Sequence, residues 1–184
     1  MKRKVVLLGD SIRMLGYGQK LPAMLGDDYE VWQPAENCRF AKYTLRMLFD
    51  YREQIENADI IHWNNGLWDV SDLFNDGSLF STDEEYIENM LRVAKLLKKI
   101  TPNLIFATTT PVAEDYPYNK NVDIARRNEI LVPILKDMGF KINDLYSIAI
   151  QDLDKYICED KIHPSEAGAE VYSEKVYEII KSFE

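Results

Sequence analysis

The sequence predicts an α/β protein: a parallel sheet with helices on both faces and right-handed crossovers. Short, branched apolar runs alternate along the chain with longer segments of helical periodicity. The connections between them are mostly short, as strand–helix–strand units require. The first run, Val5-Val6-Leu7-Leu8, is apolar at every position, the pattern of a strand covered on both faces. With 184 residues, the chain is expected to form one domain, 1–184, able to bury most of its apolar surface without disulfides or metals.

Val5–Leu8 is the first strand, followed by Gly9. Tyr29–Trp32 is a second, ended by Pro34, and Asp59–Trp63, Leu104–Thr108 and Phe140–Asn143 are the third to fifth. A helix over Tyr43–Asn57 is read from Leu45, Leu48, Phe49 and Ile55 with charges between them. Asp83–Ile100 opens on Ser81-Thr82-Asp83-Glu84, a capping-box pattern, and carries Ile87, Met90, Ala94 and Leu97 on one broad face. Val122–Met138 contains Pro133, which should end or kink it, before Gly139 as a C-cap. Ser165–Phe183 closes the chain with Tyr172, Val176 and Ile180 inward. The irregular stretches Asp69–Ser81 and Thr110–Asn121 follow strands, so they belong at the carboxyl edge of the sheet, where open α/β sheets hold their ligands.

Composition narrows the function. A net charge of −9 argues against nucleic acid or an anionic membrane as partner, since both need a positive surface field. Cys38 and Cys158 stand far apart with no CxxC and no histidine cluster, so neither a zinc site nor a redox motif is supported, and both are expected to be reduced. No stretch approaches the roughly 20 apolar residues of a membrane span. The start, Met1-Lys2-Arg3-Lys4, is basic like the opening of a signal peptide, but the apolar run stops at Gly9, short of the roughly 7–15 residues such a signal needs. A soluble, cytoplasmic protein is the expectation.

Two motifs carry chemistry. Gly9-Asp10-Ser11 places a hydroxyl where the first strand stops, beside the N-terminus of the following helix, with the Ser11 N–H facing outward as an oxyanion donor. Alone, the tripeptide is also an ordinary helix cap. Asp160-Lys161-Ile162-His163-Pro164 adds a carboxylate and an imidazole three residues apart, so one turn can direct both into one pocket. Histidine titrates near neutrality, and with Asp160 on Nδ1 its Nε2 is left to take the Ser11 proton. Ser11, His163 and Asp160 thus supply a nucleophile, a base and an orienting acid. His62, inside the third strand, reads as structural, as do Asn128 and Asp144.

With Gly9-Asp10-Ser11 near the start and Asp160-x-x-His163-Pro164 near the end, followed by Gly168 and an amphipathic helix, the chain resembles the SGNH or GDSL-type hydrolases over essentially its whole length. The resemblance implies a flavodoxin-like three-layer α/β/α sandwich with a five-stranded parallel sheet. It also implies a serine esterase working through an acyl-enzyme on small acyl esters, among them acetyl esters of carbohydrates, with no metal or organic cofactor. A lipase- or thioesterase-like action on longer acyl chains is the alternative within the family. Outside it stands a non-catalytic flavodoxin-like module cradling a phosphate at the first loop, although Asp10 would repel an anion and the loop lacks a glycine-rich fingerprint.

Two middle blocks depart from the family pattern. The second usually offers a glycine N–H to the oxyanion; here Pro34-Ala35-Glu36-Asn37-Cys38-Arg39-Phe40 has no glycine, and a residue near Asn37 or Cys38 is expected to serve, with Cys38 taken as the candidate. Arg39 would add positive charge there or cap the next helix. The third usually reads Gly-x-Asn-Asp; here it is Trp63-Asn64-Asn65-Gly66-Leu67-Trp68-Asp69. Aligning Gly66 and Asp69 with the pattern puts Trp68 in the asparagine's place. Asn65, ahead of Asn64, is the expected donor, unless Asn64-Asn65-Gly66 is only a turn. Trp63, Trp68, Tyr116 and Tyr118 are expected on strand-exit loops, offering faces to a sugar ring or acyl chain, or packing in the core.

Overall fold

The computed structural model describes residues 2–183, so Met1 and Glu184, at the ends of the expected 1–184 domain, lie outside the described residues. Strands β1 (Arg3–Leu8), β2 (Tyr29–Trp32), β3 (Ile60–Trp63), β4 (Leu104–Ala107) and β5 (Lys141–Asn143) form one sheet in the order β2-β1-β3-β4-β5. Every pairing in it is parallel. This is the flavodoxin-like order, and its chain reversal lies between β1 and β3, where such sheets open a crevice at the carboxyl ends of their strands. Helices α1 (Ser11–Leu15), α2 (Tyr17–Leu25), α3 (Ala41–Asp50), α4 (Arg52–Ile55), α5 (Asp83–Leu97), α6 (Asn121–Asp137), α7 (Leu145–Ala149), α8 (Leu153–Tyr156) and α9 (Glu166–Lys181) connect and cover it.

The continuous apolar run of β1 is explained by two cores. Val6 and Leu8 pack with Ile61, Trp63 and Phe106 under Met47 of α3, Met90 and Leu97 of α5 and Leu131 of α6. Val5 and Leu7 face the other way, toward Tyr17 and Leu21 of α2 and Tyr172, Val176 and Ile180 of α9. Each fully buried side chain of this size stabilises the fold by about 1.5–3 kcal/mol relative to an exposed one. Gly9-Asp10-Ser11 therefore leaves from a strand paired on both edges and buried on both faces.

Several local expectations are corrected. The capping box is one residue later than Ser81…Glu84: Thr82 Oγ1 accepts from Glu85 N–H and Glu85 Oε2 accepts from Thr82 N–H. Ser81 instead donates to Asp69 Oδ1 at 3.0 Å. The helix expected over Tyr43–Asn57 starts earlier and breaks at Tyr51, which leaves helical geometry as its ring packs 5.6 Å from Trp32 and its hydroxyl donates to Glu36. α6 runs unbroken through Pro133. Pro133 and Glu129, whose carbonyl loses its helical donor to the ring, both lie on the exposed face, where solvent replaces the missing bond. Trp63 sits within β3, fully buried and 5.2 Å from the Phe106 ring, rather than on an exit loop. No helix among the described residues is long and apolar enough to cross a membrane.

Candidate active site

Ser11 is the first residue of α1, directly after Asp10, whose carboxylate caps the helix by accepting from Ile12 N–H at 3.0 Å. The cap and the cavity-lining serine are thus neighbouring residues with separate tasks. Asp10 is almost fully buried; burial raises its pKa, against the Asn64 and Ile12 hydrogen bonds and the nearby Arg13 and His163. Below it, Asn64 donates to Asp10 Oδ1 at 2.8 Å and accepts from the Tyr17 hydroxyl at 2.6 Å. His62 lies under the same layer, its ring 4.9 Å from that of Tyr17, and burial lowers its pKa to about 3, so it is neutral and structural.

Asp160 and His163 are delivered by a tight loop between α8 and α9. Ile157 and Pro164 form an antiparallel bridge, Cys158 N–H donates to the His163 carbonyl at 2.8 Å, and Lys161 turns the chain with φ 73°. Asp160 Oδ1 accepts from both Ile162 N–H and His163 N–H, leaving Oδ2 to meet His163 Nδ1 at 2.6 Å. Partial burial pushes the Asp160 carboxyl up, but those N–H groups, the imidazole and the Cys158 thiol outweigh it and hold its pKa well below the usual carboxylate range. Gly168 lets α9 pack against this loop, because a Cβ there would lie 2.2 Å from the Tyr156 carbonyl oxygen.

Ser11 and His163 line one cavity of about 540 Å³. Met14, Leu67, Leu73 and Ile162 give it apolar walls, while Asn37, Trp68, Tyr116 and Tyr118 supply polar and aromatic faces. Leu15, Trp68, Leu73 and Tyr118 are all exposed around it. Large apolar side chains gathered at a cavity mouth mark a binding surface. Among the described residues, no group of three or more His, Cys, Asp and Glu is placed to hold a metal ion.

The structure separates the expected oxyanion donors. Cys38 is fully buried and its N–H donates to the Gly9 carbonyl at 3.1 Å, so the expectation that it serves the oxyanion is not met. Asn65 is also fully buried and does not line the cavity. Its Oδ1 accepts from Trp63 Nε1 at 2.6 Å and Thr44 Oγ1 at 2.8 Å, and its Nδ2 donates to the Arg39 carbonyl at 2.7 Å. Asn64 is held between Asp10 and Tyr17. Both asparagines are corrected from oxyanion donors to structural ties, whereas Trp68 lines the cavity. Gly66 has φ 146° and a Cβ there would meet Thr109 Oγ1 at 2.0 Å, while Asp69 accepts from Ala41 N–H and Ser81 Oγ. Burial raises the Asp69 pKa to about 6, against the Ala41 and Ser81 hydrogen bonds.

Removing the Asn65 amide leaves the buried Trp63 indole N–H without its partner, at a cost of about 1–3 kcal/mol, while the Thr44 hydroxyl keeps the Cys38 carbonyl at 3.1 Å. Asn65→Ala is therefore expected to lose about 1–3 kcal/mol in urea unfolding and keep kcat in the molecules that fold. A large kcat loss at unchanged stability would return the donor role to Asn65.

Sequence reasoning passed over Arg13 and Tyr17. Arg13 is 2% exposed and binds carbonyls at Gly9, Pro34 and Glu36, partners that are distant in sequence. A buried arginine near the Ser11 turn was the available signal, but nothing in its spacing names those carbonyls.

The sequence matches no family model, and no curated protein matches it. Solved structures do share its fold. The acetyl xylan esterase AlAXEase superposes with a TM-score of 0.80 at 20% identity, over 96% of this chain and 99% of that one. A lipase/acylhydrolase from Enterococcus faecalis gives 0.81 at 20% identity over 98% and 96% of the two chains. An acetylxylan esterase from Geobacillus stearothermophilus gives 0.75 at 17% over 97% and 94%. At these identities the likeness establishes a common architecture.

Proposed function

We propose that this chain is a serine ester hydrolase of the SGNH or GDSL type, acting through an acyl-enzyme on small acyl esters. The observation that carries the reading is His163, which lines one cavity with Ser11 and has its Nδ1 2.6 Å from Asp160 Oδ2. The esterases and acylhydrolases of the same fold support it.

In this mechanism Ser11 Oγ attacks the ester carbonyl carbon while His163 Nε2 takes the hydroxyl proton. The carbonyl π pair moves onto oxygen, forming a tetrahedral oxyanion that meets the Ser11 N–H. Collapse breaks the bond to the alcohol, which leaves with the proton from His163. Water then repeats the sequence on the acyl-enzyme and releases the acid. Asp160 holds the proton-bearing Nδ1 and stabilises the imidazolium. No step uses a metal or an organic cofactor.

Trp68, Tyr116 and Tyr118 offer flat faces of the kind that pack against sugar rings, which suits acetyl esters of carbohydrates. The apolar walls from Met14, Leu67, Leu73 and Ile162 favour a second reading, a longer acyl chain in the same cavity. A panel of p-nitrophenyl esters of increasing acyl length, run beside an acetylated xylooligosaccharide, separates them. The carbohydrate reading expects kcat/KM highest for acetyl and highest of all on the sugar ester. A rise of kcat/KM with chain length contradicts it, and no turnover on any ester contradicts the esterase itself. An anion-binding module is disfavoured by Asp10, buried directly beside Ser11.

A further inference from the structure

We infer that the side-chain carboxamide of Asn37 donates to the oxyanion formed at Ser11, so that the loop after β2 supplies an amide that the family pattern draws from the loop after β3. The inference rests on the esterase reading above and extends it to a catalytic residue.

Asn64 and Asn65, on the loop after β3, hold their amides on buried partners, and neither residue lines the cavity. Among the remaining cavity side chains, Ser71 donates its hydroxyl to the Leu67 carbonyl, and Tyr116 and Tyr118 pack on one another with ring centres 5.7 Å apart on the loop after β4. Asn37 and Trp68 are left as side chains with N–H groups on the cavity wall.

Two features favour Asn37. The first is the orientation of its amide. Arg39 N–H donates to Asn37 Oδ1 at 2.6 Å, in a turn where Arg39 has φ 51°. A backbone N–H can only donate, so the oxygen end of the carboxamide is fixed and the Nδ2 end is the free one. Among the described residues, Nδ2 donates to no protein group.

The second is rigidity relative to Ser11. Cys38 N–H donates to the Gly9 carbonyl at 3.1 Å and Gly9 N–H donates to Cys38 Sγ at 3.3 Å, stitching the two loops directly. Arg13, on the helix that begins at Ser11, reaches the Gly9 carbonyl through Nε and the Pro34 and Glu36 carbonyls through its terminal nitrogens. It also donates to Gln33 Oε1 at 2.8 Å. The loops that carry Asn37 and Ser11 are thus tied directly to each other, the condition under which a donor stabilises developing charge without reorganising. Among the described residues Trp68 shows no such tie to the Ser11 turn, and it is 38% exposed.

The test is steady-state kinetics of Asn37→Asp, Asn37→Ala and Trp68→Phe on a p-nitrophenyl ester, with Tm recorded for each. Asn37→Asp keeps an acceptor for Arg39 N–H but replaces the donor with a charged oxygen; Asn37→Ala deletes the group without adding charge. Both are expected to lose about 10²–10³-fold in kcat with KM nearly unchanged, and Trp68→Phe to change mainly KM. Either Asn37 variant, folded, with kcat within about threefold of wild type would overturn the inference, as would a kcat loss confined to Trp68→Phe. Those outcomes leave wild-type turnover, and so the esterase reading, intact. A wild type without turnover would remove the reading and the inference with it.

Discussion

Ser11→Ala is expected to lower kcat for ester hydrolysis by roughly 10⁴–10⁶-fold while leaving the fold in place. The chemical half follows from the absence of a nucleophile: His163 can still polarise a water, but no acyl-enzyme forms. The structural half follows from the division of labour at the turn. Asp10, not Ser11, caps α1 through its bond to Ile12 N–H, and Val5–Leu8 anchor the strand in two cores. Alanine at the first helical position keeps the backbone N–H and favours the helix. Circular dichroism and Tm close to wild type, with turnover gone, is the expected pair of results. A cleanly folded variant with wild-type turnover would mean that another group attacks the ester.

Asp160→Asn is expected to cost about 10⁴-fold in kcat, an effect out of proportion to one atom changed. The geometry dictates which way the new amide points. Oδ1 is claimed by Ile162 N–H and His163 N–H, so it remains an oxygen, and the amide NH₂ takes the position of Oδ2 against His163 Nδ1. A donor there forces Nδ1 to accept and moves the ring proton to Nε2, the atom that must receive the Ser11 proton. The loop geometry survives and the tautomer is wrong. A loss of less than about tenfold would show that another group orients His163. The sign of the Asp160 shift bears on pH as well. Its pKa lies below its ordinary 3.8, so the stabilisation from its hydrogen bonds is present above that value and is lost only as pH falls further. Above that value Asp160 is ionised, so it is not expected to contribute to the acid limb of a kcat/KM profile. His163 and Asp160 variants combined should be far from additive, since they act as one unit.

The fold was legible because its signals are local. Five apolar runs stand where five strands form, and the all-apolar Val5–Leu8 already announces two covered faces. The Asp160–His163 contact was legible for the same reason: a spacing of three residues on a tight loop leaves the pair little room to separate. Pro133 misled because its cost depends on whether solvent reaches the freed carbonyl, which is a matter of burial. The donor assignment failed at Asn65 for a tertiary reason. Whether an asparagine faces a cavity or a tryptophan indole is decided by Trp63, Thr44 and Arg39, none of which advertises the contact in sequence. Cys38 failed likewise, its N–H drawn to Gly9 from 29 residues away. Asn37 stood beside it, distinguished only by the turn that Arg39 closes.

The measurement that bears most directly on the hydrolase assignment is covalent labelling with a fluorophosphonate, followed by peptide mapping. Such a probe reacts with a serine made nucleophilic by a neighbouring base and spares ordinary hydroxyls. The account predicts one adduct on the peptide containing Ser11, formed in wild type, absent in Ser11→Ala and strongly slowed in His163→Ala. An unlabelled wild-type protein, or an adduct on another residue with Ser11 untouched, would contradict it.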